Sequence, residues 1–278
     1  MNNPFTNGML FNGYPFDPLG TSVSRSLGLQ TLYQTATPVL PPVIQAVLAK
    51  SVEEFARERN ARVYGNPLTH AALILDESLS MSRHKGVALE GYNTQVDVIK
   101  EGARGAGKTL VSLNVFNSVP RQVLSAVDVE ILRKLQPHEY SPNGGTALFD
   151  AFGDTIALLL AQPGAQDPNT AFLVSGFTDG EENSSTRYSG KVLKDLITRL
   201  EATGRWTFTL MGPHGGAQEL ASVLNLNVGN VAAFDPARQE SVHEAFSTMK
   251  LASNGYMNMR SSGERASACF YSSVVEPK

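Results

Sequence analysis

The sequence predicts an α/β fold, a doubly wound and mostly parallel sheet with helices on both faces, preceded by an extended N-terminal arm. Three observations lead there. Short apolar runs alternate with helical stretches of about 10–15 residues, the rhythm of a parallel sheet crossed over by helices. The runs at 71–75 and 170–177 are apolar almost throughout, as strands buried on both faces are. The same runs end in Asp, Ser or Thr, at the carboxyl ends of strands where open parallel sheets bind ligands.

In chain order, residues 1–40 carry Asn, Gly, Pro, Ser and Thr too often for a long helix or strand, and are dotted with Phe5, Phe11, Tyr14 and Phe16. Two readings stand side by side: a mobile tail, or an arm that lies on another surface and buries its aromatics. Pro41-Pro42 opens a helix in which Val43, Ile44, Val47, Leu48 and Val52 recur at helical spacing before the charged run 53–59. Strands follow at 71–75 and 110–116, with a helix over 86–103 between them and a short edge strand at 121–127. Residues 147–161 read as a helix with Leu148, Phe152, Ile156 and Leu159 on one face. Strands at 170–177 and 206–211 bracket a helix over 189–203, and helices at 216–225 and 240–252 flank a last strand, 231–234. The organisation is thus an arm (1–40), an N-terminal helix and linker (41–66), an α/β domain (67–253) and a C-terminal tail (254–278).

Composition removes several function classes. With 278 residues, 42% of them hydrophobic and 18% charged, the chain can bury a core without disulfides or a structural metal. A net charge of −3 gives no electrostatic footprint for nucleic acid or an anionic membrane. No run of about 18 apolar residues offers a bilayer span. The single cysteine, Cys269, has no intrachain partner, and the N-terminus lacks the basic and apolar regions of a secretory signal. The expected compartment is the cytoplasm.

The chemistry concentrates in three strand-end loops. After the first strand comes Asp76-Glu77-Ser78-Leu79-Ser80, the pattern D-x-S-x-S. Before the helix at 147 comes Asn143-Gly144-Gly145-Thr146, and after the strand at 170–177 comes Thr178-Asp179-Gly180. All offer carboxylate or hydroxyl oxygens, and none offers a thiolate or imidazole. Hard oxygen donors of this kind suit Mg²⁺ or Mn²⁺ and disfavour Zn²⁺ or Cu²⁺. Two carboxylates and three hydroxyls leave octahedral positions for water and for an incoming acidic side chain.

Asp76-x-Ser78-x-Ser80, Thr146 and Asp179-Gly180 resemble, in identity and order, the metal-ion-dependent adhesion site of von Willebrand factor type A domains. The resemblance spans about residues 68–252. It is closer still to a bacterial and phage subgroup, through Asp76–Met81, Gly91-Tyr92-Asn93, the stretch 144–151, the stretch 178–183 and Phe208–Met211 followed by Gly212. It implies a Rossmann-like fold and a metal held by Asp76, Ser78, Ser80, Thr146 and Asp179, the hydroxyls directly and the aspartates often through water. It further implies a binding module, not an enzyme, whose Mg²⁺ accepts an Asp or Glu from a partner protein. The sequence departs from the family at Leu79, where glycine is usual, and at Ser175-Gly176, which interrupts an apolar strand and suggests a bulge or a close backbone approach.

Other readings compete with this one. The aromatic-dotted arm motivates a structural component of a phage virion or other large assembly, docking through residues 1–40. A metal-dependent hydrolase using Asp76, Asp179 and Glu181 is disfavoured, because the sequence offers neither a second metal site nor a positioned base. Taken singly, Asp76, Ser78 and Thr146 read as helix caps. Gly102–Thr109 matches the P-loop pattern, but a helix precedes it and a strand follows. That context is reversed, so the segment reads as a helix-to-strand turn. Glu181 and Glu182 read as solvated loop charges, with a modest role in attracting the cation as the rival reading, and His214 as loop filler or a rim residue.

Overall fold

A computed structural model describes residues 39–59 and 67–273; the arm proposed for 1–40 therefore lies outside the described residues except for Val39 and Leu40. Six strands form one sheet: β1 (Leu68–Asp76), β2 (Lys108–Phe116), β3 (Pro120–Asp128), β4 (Thr170–Phe177), β5 (Trp206–Pro213) and β6 (Val231–Phe234). Their order is β3-β2-β1-β4-β5-β6, and every pair is parallel except β2 with β3. The doubly wound fold class holds. The edge strand expected at 121–127 is β3, antiparallel and irregular near Leu113, where Ala126 takes a φ of 44° and its N–H donates to Ser112 Oγ at 2.9 Å.

Alternate residues of the central strand β1 feed two cores. Ala71, Leu73 and Leu75 face α3 (Lys85–Gly102) and α7 (Gln239–Ser261). Ala72 and Ile74 face α1 (Pro42–Leu48), α2 (Val52–Glu58), α4 (Leu148–Leu160), α5 (Gly190–Ala202) and α6 (Gly216–Leu224). On α4, the expected apolar face of Leu148, Phe152, Ile156 and Leu159 is buried. The glycine-rich stretch after α3 is the helix-to-strand turn foreseen, with Gly105 and Gly107 at positive φ.

Three expectations are corrected. The N-terminal helix is two helices, because Ser51 and Glu54 form a reciprocal capping box that starts α2 afresh: Ser51 N–H donates to Glu54 Oε2 at 2.7 Å and Glu54 N–H to Ser51 Oγ at 3.3 Å. The last helix runs beyond 252 to Ser261, since its final turns bury Met257 and Arg260, and Arg260 Nε donates to Thr69 Oγ1 at 2.9 Å. Beyond it, in the expected tail, Phe270 and Tyr271 are buried in the same core as α7, and Ser267 N–H donates to Thr207 Oγ1 on β5. At Ser175-Gly176 there is no bulge: β4 pairs with β1 in unbroken register. The other expectation, close approach, is the one that holds, for a Cβ there would stand 2.7 Å from Phe152 Cζ.

That contact generates a prediction. Phe152 is fully buried and has nowhere to yield. Gly176→Ala should lower unfolding free energy by about 1–3 kcal/mol in urea titration, and Phe152→Leu in the same chain should recover part of the loss. An Ala variant as stable as the parent would refute the packing argument.

Candidate metal centre

The sheet order reverses beside β1: the chain steps outward through β2 and β3, then crosses to β4 on the other flank of β1. The loops leaving the carboxyl ends of β1 and β4 part in opposite directions there and open a crevice. Asp76 ends β1, and Thr178-Asp179 follow β4 immediately.

The sequence-predicted residues meet at this crevice. Asp76 Oδ1 accepts the Ser78 N–H at 2.6 Å, and Asp76 Oδ2 accepts the Thr178 hydroxyl. Ser78 Oγ lies 3.0 Å from Ser80 Oγ, and Ser80 Oγ donates to Asp179 Oδ1 at 2.6 Å. Thr146 arrives from the third loop: a Cβ built on Gly180 would lie 3.5 Å from Thr146 Oγ1 and 3.7 Å from Ser80 Oγ. All five residues thus border one point. Asp76, Ser78, Thr146 and Asp179 are buried, and Ser80 alone is exposed, which puts the mouth of the site at Ser80.

Surrounding residues fix these loops. Tyr140, fully buried, donates its hydroxyl to the Asp76 carbonyl. Glu77 pairs with Arg121 Nη2 at 3.1 Å and accepts the Ser141 N–H, joining the first loop to the 139–145 stretch. Leu79 N–H donates to the Gly144 carbonyl at 3.1 Å, and Asn183 Oδ1 accepts the Thr146 N–H at 2.9 Å.

The reading of Glu182 as a solvated charge is corrected. Its carboxylate accepts from the N–H groups of Phe149, Ser184 and Ser185, so it caps α4 and pins the loop after Gly180. Asp150 does the same further along, accepting from the N–H groups of Thr186, Arg187 and Tyr188. Burial alone would raise the Asp150 pKa, but these three backbone donors and Arg187 hold it below the usual range. Glu181 is exposed as expected, and exposed His214 takes no part in the hydrogen bonds of the site.

Thr178 and Tyr140 escaped sequence reasoning as members of the site. Thr178 carried a signal in its place directly before Asp179 at a strand end. Tyr140 carried none, lying far along the chain in an irregular connection.

The electrostatics suit a cation. Burial pushes the Asp76 carboxyl up to about 6; hydrogen bonds from Ser78 and Thr178 pull it back, and the nearby Asp179 charge adds to the rise. Among the described residues, neither aspartate has an ion-pair partner. Asp179 Oδ2 is buried without a hydrogen-bond partner, and an orphaned carboxylate oxygen is costly unless something positive meets it. Among the described residues no three His, Cys, Asp or Glu side chains gather, and the oxygens that border the crevice are those of two carboxylates and three hydroxyls. Those donors fit Mg²⁺ or Mn²⁺.

No protein-family model and no curated protein matches the sequence. Solved structures do match. The pilus adhesin SpaC from Lactobacillus rhamnosus GG aligns with a TM-score of 0.52 at 12% identity, over 72% of this chain and 32% of that one. A von Willebrand factor type A protein from Catenulispora acidiphila aligns at 0.44 and 17% identity, over 68% and 43% respectively. The SpRpn10 VWA domain aligns at 0.46 and 12% identity, over 64% and 93%. The chain therefore spans less than half of the first two proteins. The chain shares a doubly wound α/β fold with SpaC, and the other two proteins it is similar to are von Willebrand factor type A domains. At such identities the likeness speaks of the fold alone.

Asp76 yields a pH prediction. Its folded pKa, about 6, lies above its ordinary 3.8, so the folded chain holds this proton more tightly than the unfolded chain does. The associated stability is present below about pH 4 and is lost as pH rises through 6. Without divalent cations, the parent should lose roughly 3 kcal/mol relative to Asp76→Asn between about pH 4 and pH 7 in urea unfolding. A pH-independent difference between the two would refute the assignment.

Proposed function

We propose that the chain is a divalent-cation-dependent protein-binding module. Asp76, Ser78, Ser80, Thr146 and Asp179 would hold one Mg²⁺, with Mn²⁺ as a substitute, and the bound cation would offer an open coordination position to an Asp or Glu of a partner protein. The observation that carries this reading is the buried, unpartnered Asp179 Oδ2, on a carboxylate that receives the Ser80 hydroxyl next to Ser78 and lies near enough to the Asp76 carboxylate to repel its charge.

The residues of this chain do the positioning. Thr178 and the Ser78 N–H orient the Asp76 carboxylate, and Ser80 orients that of Asp179. Glu182 and Asp150 hold the loop after Gly180, so ligand geometry is set before the ion arrives and little ordering entropy remains to oppose binding. The work of the site is recognition, not turnover. The fold supports this reading, since SpaC is a pilus adhesin by its own description. Among the described residues no helix is long and apolar enough to cross a membrane.

Calorimetric titration with MgCl₂ and MnCl₂ tests the metal directly. One saturable site is expected in the parent, with at least about tenfold weaker binding in Thr146→Ala and none detectable in Asp179→Ala. No heat from the parent with either ion would sink the proposal.

A further inference from the structure

We infer that the partner's acidic residue is flanked by an apolar side chain, which seats on Leu79 and Val119 beside the mouth of the metal site. This inference rests on the metal-dependent reading above and adds the chemistry of the partner.

Seven large hydrophobic side chains are exposed among the described residues, and two of them stand on the loops around the site: Leu79, 64% exposed, and Val119, 67% exposed. Single exposed hydrophobics are ordinary; two on adjoining turns at one opening are a different matter. Leu79 lies between Ser78 and Ser80, and Ser80 is the one exposed residue of the proposed ligand set.

Leu79 cannot fold inward to escape water. A 3-10 helix begins at Leu79, with the Met81 N–H donating to the Ser78 carbonyl at 3.1 Å, and Met81, fully buried, occupies the inner position. The Leu79 backbone is held from the other side by the Gly144 carbonyl at 3.1 Å. Val119 belongs to the turn between β2 and β3, which rests against the same glycines. The Gly145 N–H donates to Ser118 Oγ at 2.8 Å, and a Cβ on Gly144 would come within 2.9 Å of that oxygen. The backbone at 144–145 is therefore the shared floor between the two turns that carry Leu79 and Val119.

A ligand that brings a carboxylate to the mouth at Ser80 passes directly over Leu79. An apolar residue next to that carboxylate would cover surface now in water, while the metal supplies the anchor. Glu181, exposed one residue beyond Gly180 on the loop that carries Asp179, disfavours a second acidic residue. The partner motif is thus a single Asp or Glu with a large aliphatic or aromatic neighbour.

The test is selection of phage-displayed random short peptides on the full chain in Mg²⁺, with elution by EDTA. The expected eluate is enriched in peptides with one Asp or Glu and a Leu, Ile, Val, Met or Phe within about two positions, the reach set by Cα spacing. On the Leu79→Ser, Val119→Ser double variant, the acidic residue should persist while the apolar preference falls to the library background. A peptide selected on the parent should bind that variant on the order of tenfold more weakly. Magnesium affinity and the urea midpoint should match the parent, since neither side chain is a ligand or buried. Acidic peptides without an apolar preference, or unchanged affinity for the double variant, would overturn this inference and leave the metal reading standing. If EDTA releases no peptides, or Asp179→Ala selects the same set, the metal reading falls and this inference falls with it.

Discussion

The carboxylate of Asp76 accepts from two directions at once, from the Ser78 N–H of its own loop and from the Thr178 hydroxyl beyond β4. It does so at the one place in the sheet where neighbouring parallel strands send their chains apart. Alongside the bond from Ser80 to Asp179, that double acceptor ties the loops after β1 and β4 together across the crevice. Neutralising it by protonation spares the burial cost but leaves the carboxyl a poor ligand. The chain thus keeps a carboxylate where its charge is expensive, and only something positive nearby makes that arrangement favourable. Asp179 repeats the situation with an oxygen that has no partner.

Much of this was legible in the sequence because parallel strands buried on both faces leave a continuous apolar signature and end in polar residues. β4 matches its expected span of 170–177, and β1 carries the run 71–75 at its centre. Asp76, Ser78, Ser80, Thr146 and Asp179 stand out in the sequence at strand ends or just before a helix, and the family resemblance joins them into a set. What stayed hidden depends on contacts distant in sequence. The carboxylate of Glu182 is indistinguishable from a solvated charge until α4 presents its amino end to it. The continuation of α7 through Gly255 runs against local propensity, and it is enforced by burial of Met257 and Arg260. Gly176 reads equally as a bulge or a close approach until Phe152 is seen against it.

The support around the site is layered. The hydroxyls and carboxylates touch one another, Tyr140 and Asn183 hold the loops that bear them, and Glu182 and Asp150 tie the outermost loop to α4. The two outer layers rest mainly on side chain to backbone bonds, which fix loop conformation more firmly than exposed ion pairs do.

Cys269 is the chain's sole thiol, and it is exposed. Its neighbours Ser267 and Phe270 are tied to Thr207 at the start of β5 and to Asn230 just before β6, where strands begin, whereas the cation loops gather where strands finish. A maleimide dye would therefore attach at one defined atom on the opposite pole of the sheet. The molecule comes with a ready handle for fluorescence anisotropy or surface tethering, and the face proposed for recognition is left free.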